Sequence, residues 1–321
     1  MSRIDVHHHF IPQPYIDAYN SSGGDPSGWI LPAWSIESTL DLMREHNTET
    51  AILSLTAPGV TILRGEAASD LARQVNNCAA ALCADHPGKL GFFAALPPLV
   101  DNLDAVLAEV AHSLDVLHAD GVTLYTRYGE DNHYLGHPDF KPLWEELDRR
   151  GAVVFVHPTH LVDTNLVNPA LPQPMIDYPH ETTRTAVDLI ISGTVRKHTK
   201  VKIILSHAGG SLPYLAIRAA HLTYDTRLSQ KDPAEFLDDA KSFYFDLALS
   251  GNPLTMDLLL KFARPGHVLY GSDFPYAPKK TVDAHVGMLD QYVMEPEVDY
   301  SVSRGAAEAL FPRLKSGGAE K

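Results

Sequence analysis

Eight short apolar runs recur along the chain, each followed by a stretch of helical length. The first is Arg3 to Phe10, where Ile4 and Val6 lead into three histidines. The others are ETAILSLT (49–56), residues 90–96, GVTLYT (121–126), AVVFVH (152–157), VKIILSH (201–207), SFYFDL (242–247) and HVLYGSD (267–273). Helices are expected over 35–47, 65–86, 101–119, 138–150, 181–199, from Gly209-Gly210 onward, and over 254–264, 279–292 and 303–311. The nearly all-apolar AVVFVH run is what a strand buried on both faces requires. Strands alternating with helices imply a parallel sheet, and eight such units close a barrel. The expected fold is therefore α/β, a (β/α)8 TIM barrel in which residues 1–321 form a single domain. Long loops are expected at 11–34 and 158–180, after the first and fifth strands. A doubly wound open sheet is the alternative, but no Gly-rich dinucleotide fingerprint follows the first strand.

Charge narrows the possible partners. The net charge of −14 argues against nucleic acid and against an anionic membrane surface, since both need basic patches. No apolar run has bilayer length, so membrane insertion is not expected. Cys78 and Cys83 form no CxxC pair and no disulfide framework. They read as buried apolar residues of a protein from a reducing compartment, which places it in the cytoplasm. Met1 leads directly into the first strand, so no signal peptide is expected. The tail from Lys315 to Lys321 reads as frayed.

The strand ends carry the chemistry. Side chains two apart on a strand share a face, so His7 and His9 point one way and His8 the other. Such a pair can clamp a divalent cation. A lone His-x-His pair is more often uninvolved, but His157, His207 and Asp273 also end apolar runs. In a parallel barrel these ends converge on one rim. Three histidines and a carboxylate leave positions free for water or substrate. His207 precedes the small-residue turn Ala208-Gly209-Gly210 and reads as an acid/base or substrate-bonding group. Tyr125-Thr126-Arg127, ending the fourth strand, offers no lysine to bridge a second metal. One divalent ion is expected, zinc first, with manganese or iron as alternatives. Trp29 and Trp34 suit either packing or substrate contact.

The motifs Asp5-x-His7-x-His9, His157-Pro158, Ser206-His207-Ala208-Gly209-Gly210 and Gly271-Ser272-Asp273-Phe274-Pro275 together resemble the amidohydrolase-related decarboxylases. Their type member is aminocarboxymuconate semialdehyde decarboxylase. The likeness implies His7, His9, His157 and Asp273 as ligands of one metal, with His207 catalytic. Further segments resemble the fungal 6-methylsalicylate decarboxylases: residues 24–29, 120–129, 134–137, 157–160, 172–175 and 177–182. That resemblance implies loss of carbon dioxide from 6-methylsalicylate to give 3-methylphenol (m-cresol), in polyketide pathways such as patulin synthesis. A homodimer is expected by family analogy. One departure matters. The type member has a carboxylate-binding arginine before its first helix, whereas residues 11–34 here contain none. This favours a metal-chelating salicylate over a ring-opened muconate.

The resemblance also implies roles. Asp273 would donate the proton to the ring, with His207 and Glu181 setting its protonation; Asp273 as a ligand only is the alternative. Trp29, Tyr178, Phe274 and Met175 would shape the pocket for a small aromatic carboxylic acid. Arg127 would contribute a positive charge to substrate or form a structural salt bridge. A hydrolase of an amide, lactone or ring-cleavage product is the competing activity for the same metal site.

Overall fold

The computed structural model describes residues 1–315. Eight parallel strands run in order through one sheet: β1 Arg3–His9, β2 Thr48–Ser54, β3 Leu90–Ala94, β4 Gly121–Tyr125, β5 Val153–His157, β6 Lys202–Leu205, β7 Tyr244–Asp246 and β8 Val268–Leu269. The register sets strand ends side by side: His9 faces Ser54, and Tyr125 faces His157. The circle closes between β8 and β1. Val6 N donates to Tyr270 O at 3.0 Å, Asp273 N to His7 O at 2.8 Å and His9 N to Phe274 O at 2.7 Å. Helices ring the barrel, as a (β/α)8 TIM barrel requires.

Two apolar cores follow from this arrangement. The barrel interior holds Ile4, Val6, Ile52, Phe93, Phe155, Ile204 and Leu269, stoppered by Ala306, Ala307 and Phe311 near the C-terminus. The larger core fills the layer between barrel and helices. Strict alternation does not run through β1. Val6 belongs to the interior core, yet its neighbour His7 also faces inward, 5.0 Å from the Phe155 ring. The pairing with β2 shifts register between Asp5 and His8, and this irregularity turns both side chains in.

The connections differ from the sequence expectation in three places. Residues 11–34 are not all loop, because Gln13–Ser21 is helical with Tyr15 and Ala18 buried. Pro12 and Pro14 start that helix, at the N-cap and in its first turn, where a proline loses no hydrogen bond. A helix at Pro233–Ser242 also begins on a proline, behind an Asp232 side-chain cap. The 158–180 segment contains a 3-10 turn at Gln173–Met175, and the next helix begins at Asp177. Ser35 caps the helix Ile36–Glu45 through a capping box, as its position suggests. The expected frayed tail lies outside the described residues apart from Lys315. Among the described residues, no helix is long and apolar enough to cross a membrane.

Candidate active site

Ligand-type side chains meet inside the C-terminal rim. One donor atom each from His7, His9, His157 and Asp273 falls within a group no wider than 4.8 Å, all four residues buried. His7 Nε2 lies 3.0 Å from His9 Nε2 and 3.3 Å from Asp273 Oδ1, and His9 Nε2 lies 3.1 Å from the same oxygen. Metal–nitrogen bonds of about 2.0–2.1 Å at tetrahedral angles put neighbouring donors roughly 3.3 Å apart.

The ring tautomers are imposed from behind. His7 Nδ1 donates to Asp246 Oδ2 at 2.9 Å. His9 Nδ1 donates to Ser54 O at 3.2 Å, and His157 Nδ1 to Pro158 O at 2.7 Å. A carbonyl or carboxylate can only accept, so these partners favour a proton on Nδ1 and turn each Nε2 toward the shared centre. Electrostatics divides the three rings. Burial opposes charge on His7, but Asp246 and then Asp273 outweigh it and push its pKa up to about 10. Burial holds His157 well below the usual histidine range and lowers His9, so both remain neutral and ready to ligate. Burial raises the Asp273 carboxyl, but the His7 and His9 rings against it outweigh burial and hold it well below the usual range. Two neutral imidazoles, and a third whose proton is held between two buried carboxylates, mark a place where positive charge is favoured, which a cation could supply in place of the His7 proton.

The donor set opens into a cavity of about 500 Å³. His157, His207 and Asp273 line it beside Trp29, Met175 and Tyr178. His207 Nδ1 donates to Ala248 O at 3.0 Å, which leaves its Nε2 for other partners. Its ring centroid is 4.8 Å from that of His7. His207 and Asp273 both take positive φ, 54° and 64°, and both turn out of their strand ends.

The comparisons with known proteins fit this geometry. The amidohydrolase family model matches residues 4–313. The chain belongs to the amidohydrolase family. It is 57% identical to decarboxylase yanB of Aspergillus niger over 98% of this chain and 89% of that protein. It is 50% identical to 6-methylsalicylic acid decarboxylase of Penicillium expansum, covering 98% of each. Among solved structures, a dihydroxybenzoic acid decarboxylase from Polaromonas shares the fold with a TM-score of 0.80 at 21% identity, over 100% of this chain and 99% of that one. That structure contains bound manganese and the inhibitor 2-nitroresorcinol.

Within this amidohydrolase rim, three residues singled out from the sequence stand apart from the donors. Phe274 does not line the cavity. It pairs with His8 across the barrel seam and packs on that ring at 5.3 Å, because the residue after inward-facing Asp273 faces outward. Glu181 is buried, with its two oxygens 2.9 and 3.0 Å from the Tyr134 hydroxyl. Arg127 lines a neighbouring cavity and forms no salt bridge among the described residues; its Nη1 donates to Gly129 O at 2.7 Å.

Sequence reasoning passed over Asp246, which ends β7. Besides His7 Nδ1 it accepts from His207 N and Ala248 N, each at 3.0 Å. A signal was present, since in SFYFDL an aromatic run leads into Asp246, a ligand-type residue. Asp25 was also passed over. It lines the cavity, and burial pushes its carboxyl up to about 6 against hydrogen bonds from Ser27. Ser27 N donates to its Oδ1 at 2.8 Å.

Proposed function

We propose that this amidohydrolase is a metal-dependent carboxy-lyase that removes carbon dioxide from 6-methylsalicylate, or a close salicylate-type acid, to give 3-methylphenol. The observation that carries the reading is the convergence of three histidines and one carboxylate, two of which, His157 and Asp273, line a cavity sized for a small aromatic ligand. The kinship with fungal decarboxylases supports it.

His7, His9, His157 and Asp273 would hold one divalent ion. Zinc is proposed, with manganese as the alternative that metal analysis decides. Such an ion supplies Lewis acidity and a fixed positive charge for an anionic substrate. The remaining chemistry falls to the protein. Direct loss of carbon dioxide from an arene leaves a carbanion in the ring plane, where the ring cannot delocalise it. Protonating the carboxylate-bearing carbon first avoids that species, and an ionised ortho hydroxyl raises electron density at that carbon. The C–C bond then breaks, and its electron pair restores aromaticity as carbon dioxide leaves.

Asp273 is proposed as the proton donor. Its neighbours keep it ionised, so it must first take a proton, and His207 is the side chain proposed to deliver it. Asp246 would orient both His7 and His207. Trp29, Met175 and Tyr178 would bound the ring. The likeness to the family also supports a homodimer, which sizing by light scattering tests; two cysteines without a disulfide pattern support a cytoplasmic location, which imaging of a tagged protein tests.

The deciding experiment is incubation of metal-loaded protein with 6-methylsalicylate. Formation of 3-methylphenol and carbon dioxide in equal amounts is expected. An acid product formed by water addition to an amide or lactone, with no decarboxylation, would establish a hydrolase instead.

A further inference from the structure

A second cavity, of about 220 Å³, adjoins the first and is built from the same loops. Gly24 and Pro26, on its wall, flank Asp25 of the catalytic cavity, and Thr159 and His160 follow His157. Its charge is opposite to that of the protein as a whole. Arg64 and Arg127 line it, and none of its lining residues is acidic.

Arg127 is only 6% exposed. One nitrogen donates to the Gly129 carbonyl, while Nε is buried with no hydrogen-bond partner. Among the described residues, no carboxylate forms an ion pair with it. Glu181, the first group favouring its charge, already faces Tyr134. A buried guanidinium without a counter-ion is costly, and an anion in the cavity would relieve that cost. Arg64 is half exposed, and its one acidic neighbour, Asp101, lies 3.8 Å away. Burial, followed by the two arginines, pulls His160 down to about 4, so it presents a neutral imidazole to the same space. In a chain of net charge −14, paired arginines beside the active site draw anions against the overall field.

We propose that this cavity is a second carboxylate site, in which Arg127 and Arg64 hold the carboxylate of a small aromatic acid beside the catalytic cavity. The anion preference rests on the arginines; the choice of an aromatic acid rests on the proposed function. Guanidinium suits a carboxylate because its planar fork matches the two oxygens.

The test uses metal-loaded protein and benzoates without an ortho hydroxyl. Crystals soaked in 4-bromobenzoate are expected to show anomalous bromine scattering in this cavity. Calorimetric titration with benzoate should show a site weakened at least tenfold in Arg127→Gln and partly restored in Arg127→Lys. Arg64→Gln, made at a half-exposed position, should weaken it without a folding risk, and Asp273→Asn should leave it intact. Bromine confined to the catalytic cavity, or equal benzoate affinity in wild type, Arg127→Gln and Arg64→Gln, overturns the second site. Benzoate bound here by an enzyme that does not turn over 6-methylsalicylate leaves the site standing and removes only the proposed substrate.

Discussion

Asp246 Oδ2 accepts from His7 Nδ1 at 2.9 Å, with both side chains completely buried. The carboxylate fixes the tautomer of a proposed ligand and, through its other oxygen, holds the backbone of His207. Asp246→Asn keeps the shape and removes the charge. Loss of such a supporting carboxylate typically weakens metal binding 10–100-fold, or about 1.4–2.8 kcal/mol. Competition with a chelator measures this, and unchanged metal retention would remove Asp246 from the centre.

Asp273→Asn, checked by metal analysis to keep its ion, tests proton donation. Turnover of 6-methylsalicylate should fall by at least about 10³-fold, at the upper end of what a positioned acid contributes, while substrate binding stays measurable by titration. A variant turning over near the wild-type rate would show that the proton reaches the ring from elsewhere.

The ortho hydroxyl is tested on the substrate side. 2-Methylbenzoate has the methyl and carboxylate groups of 6-methylsalicylate but lacks the hydroxyl, so the protein should not decarboxylate it detectably. Comparable rates for the two acids would mean that electron release from the hydroxyl does not drive the reaction.

Asp25 makes stability depend on pH. Burial raises its carboxyl to about 6, above the ordinary 3.8 of an unfolded chain. The folded protein therefore binds this proton more tightly than the unfolded one. The resulting stabilisation is complete below about pH 4 and is lost as pH rises through about 6. Asp25→Asn has no proton to lose, so its stability relative to wild type should rise by on the order of 1–2 kcal/mol between pH 4 and 7. Thermal unfolding of both proteins across that range checks the sign, and parallel curves would contradict it.

Gly210 makes a close approach. A Cβ there would lie 1.9 Å from Pro179 O, at a φ of +61°. Gly210→Ala should cost roughly 1–3 kcal/mol and displace the helix start that carries Tyr178, lowering kcat/KM as well. Gly193→Ala is the control. It has a similar φ, but a Cβ there would meet only the end of the Lys197 side chain, at 3.6 Å, so activity should persist.

The donor set was legible because a parallel barrel brings every strand's C-terminal end to one rim. A residue's place at the end of an apolar run therefore carries nearly all the spatial information. The same rule covers Asp246, which escaped notice because an aspartate followed by Leu247 and Ala248 resembles a strand running on. The helices at Gln13–Ser21 and Pro233–Ser242 were hidden by prolines. Proline punctuates a loop and starts a helix equally well, and only the buried face of Tyr15 and Ala18 distinguishes the two. Phe274 was misplaced because adjacency in sequence to Asp273 is not adjacency in space on an extended chain. The partners of Arg127 and Glu181 come from a short hairpin, Arg127–Tyr128 with His133–Tyr134, too brief to leave a periodic signal.

The seam between the last strand and the first has a bearing on synthesis. Asp273 is tied to His7 twice, by its backbone N–H to the His7 carbonyl and by its carboxylate near the imidazole. A nascent polypeptide released before residue 273 would lack both the final rung of the cylinder and the fourth donor. Completion of the ring and completion of the proposed ion's cage are thus a single late event on the ribosome's timetable.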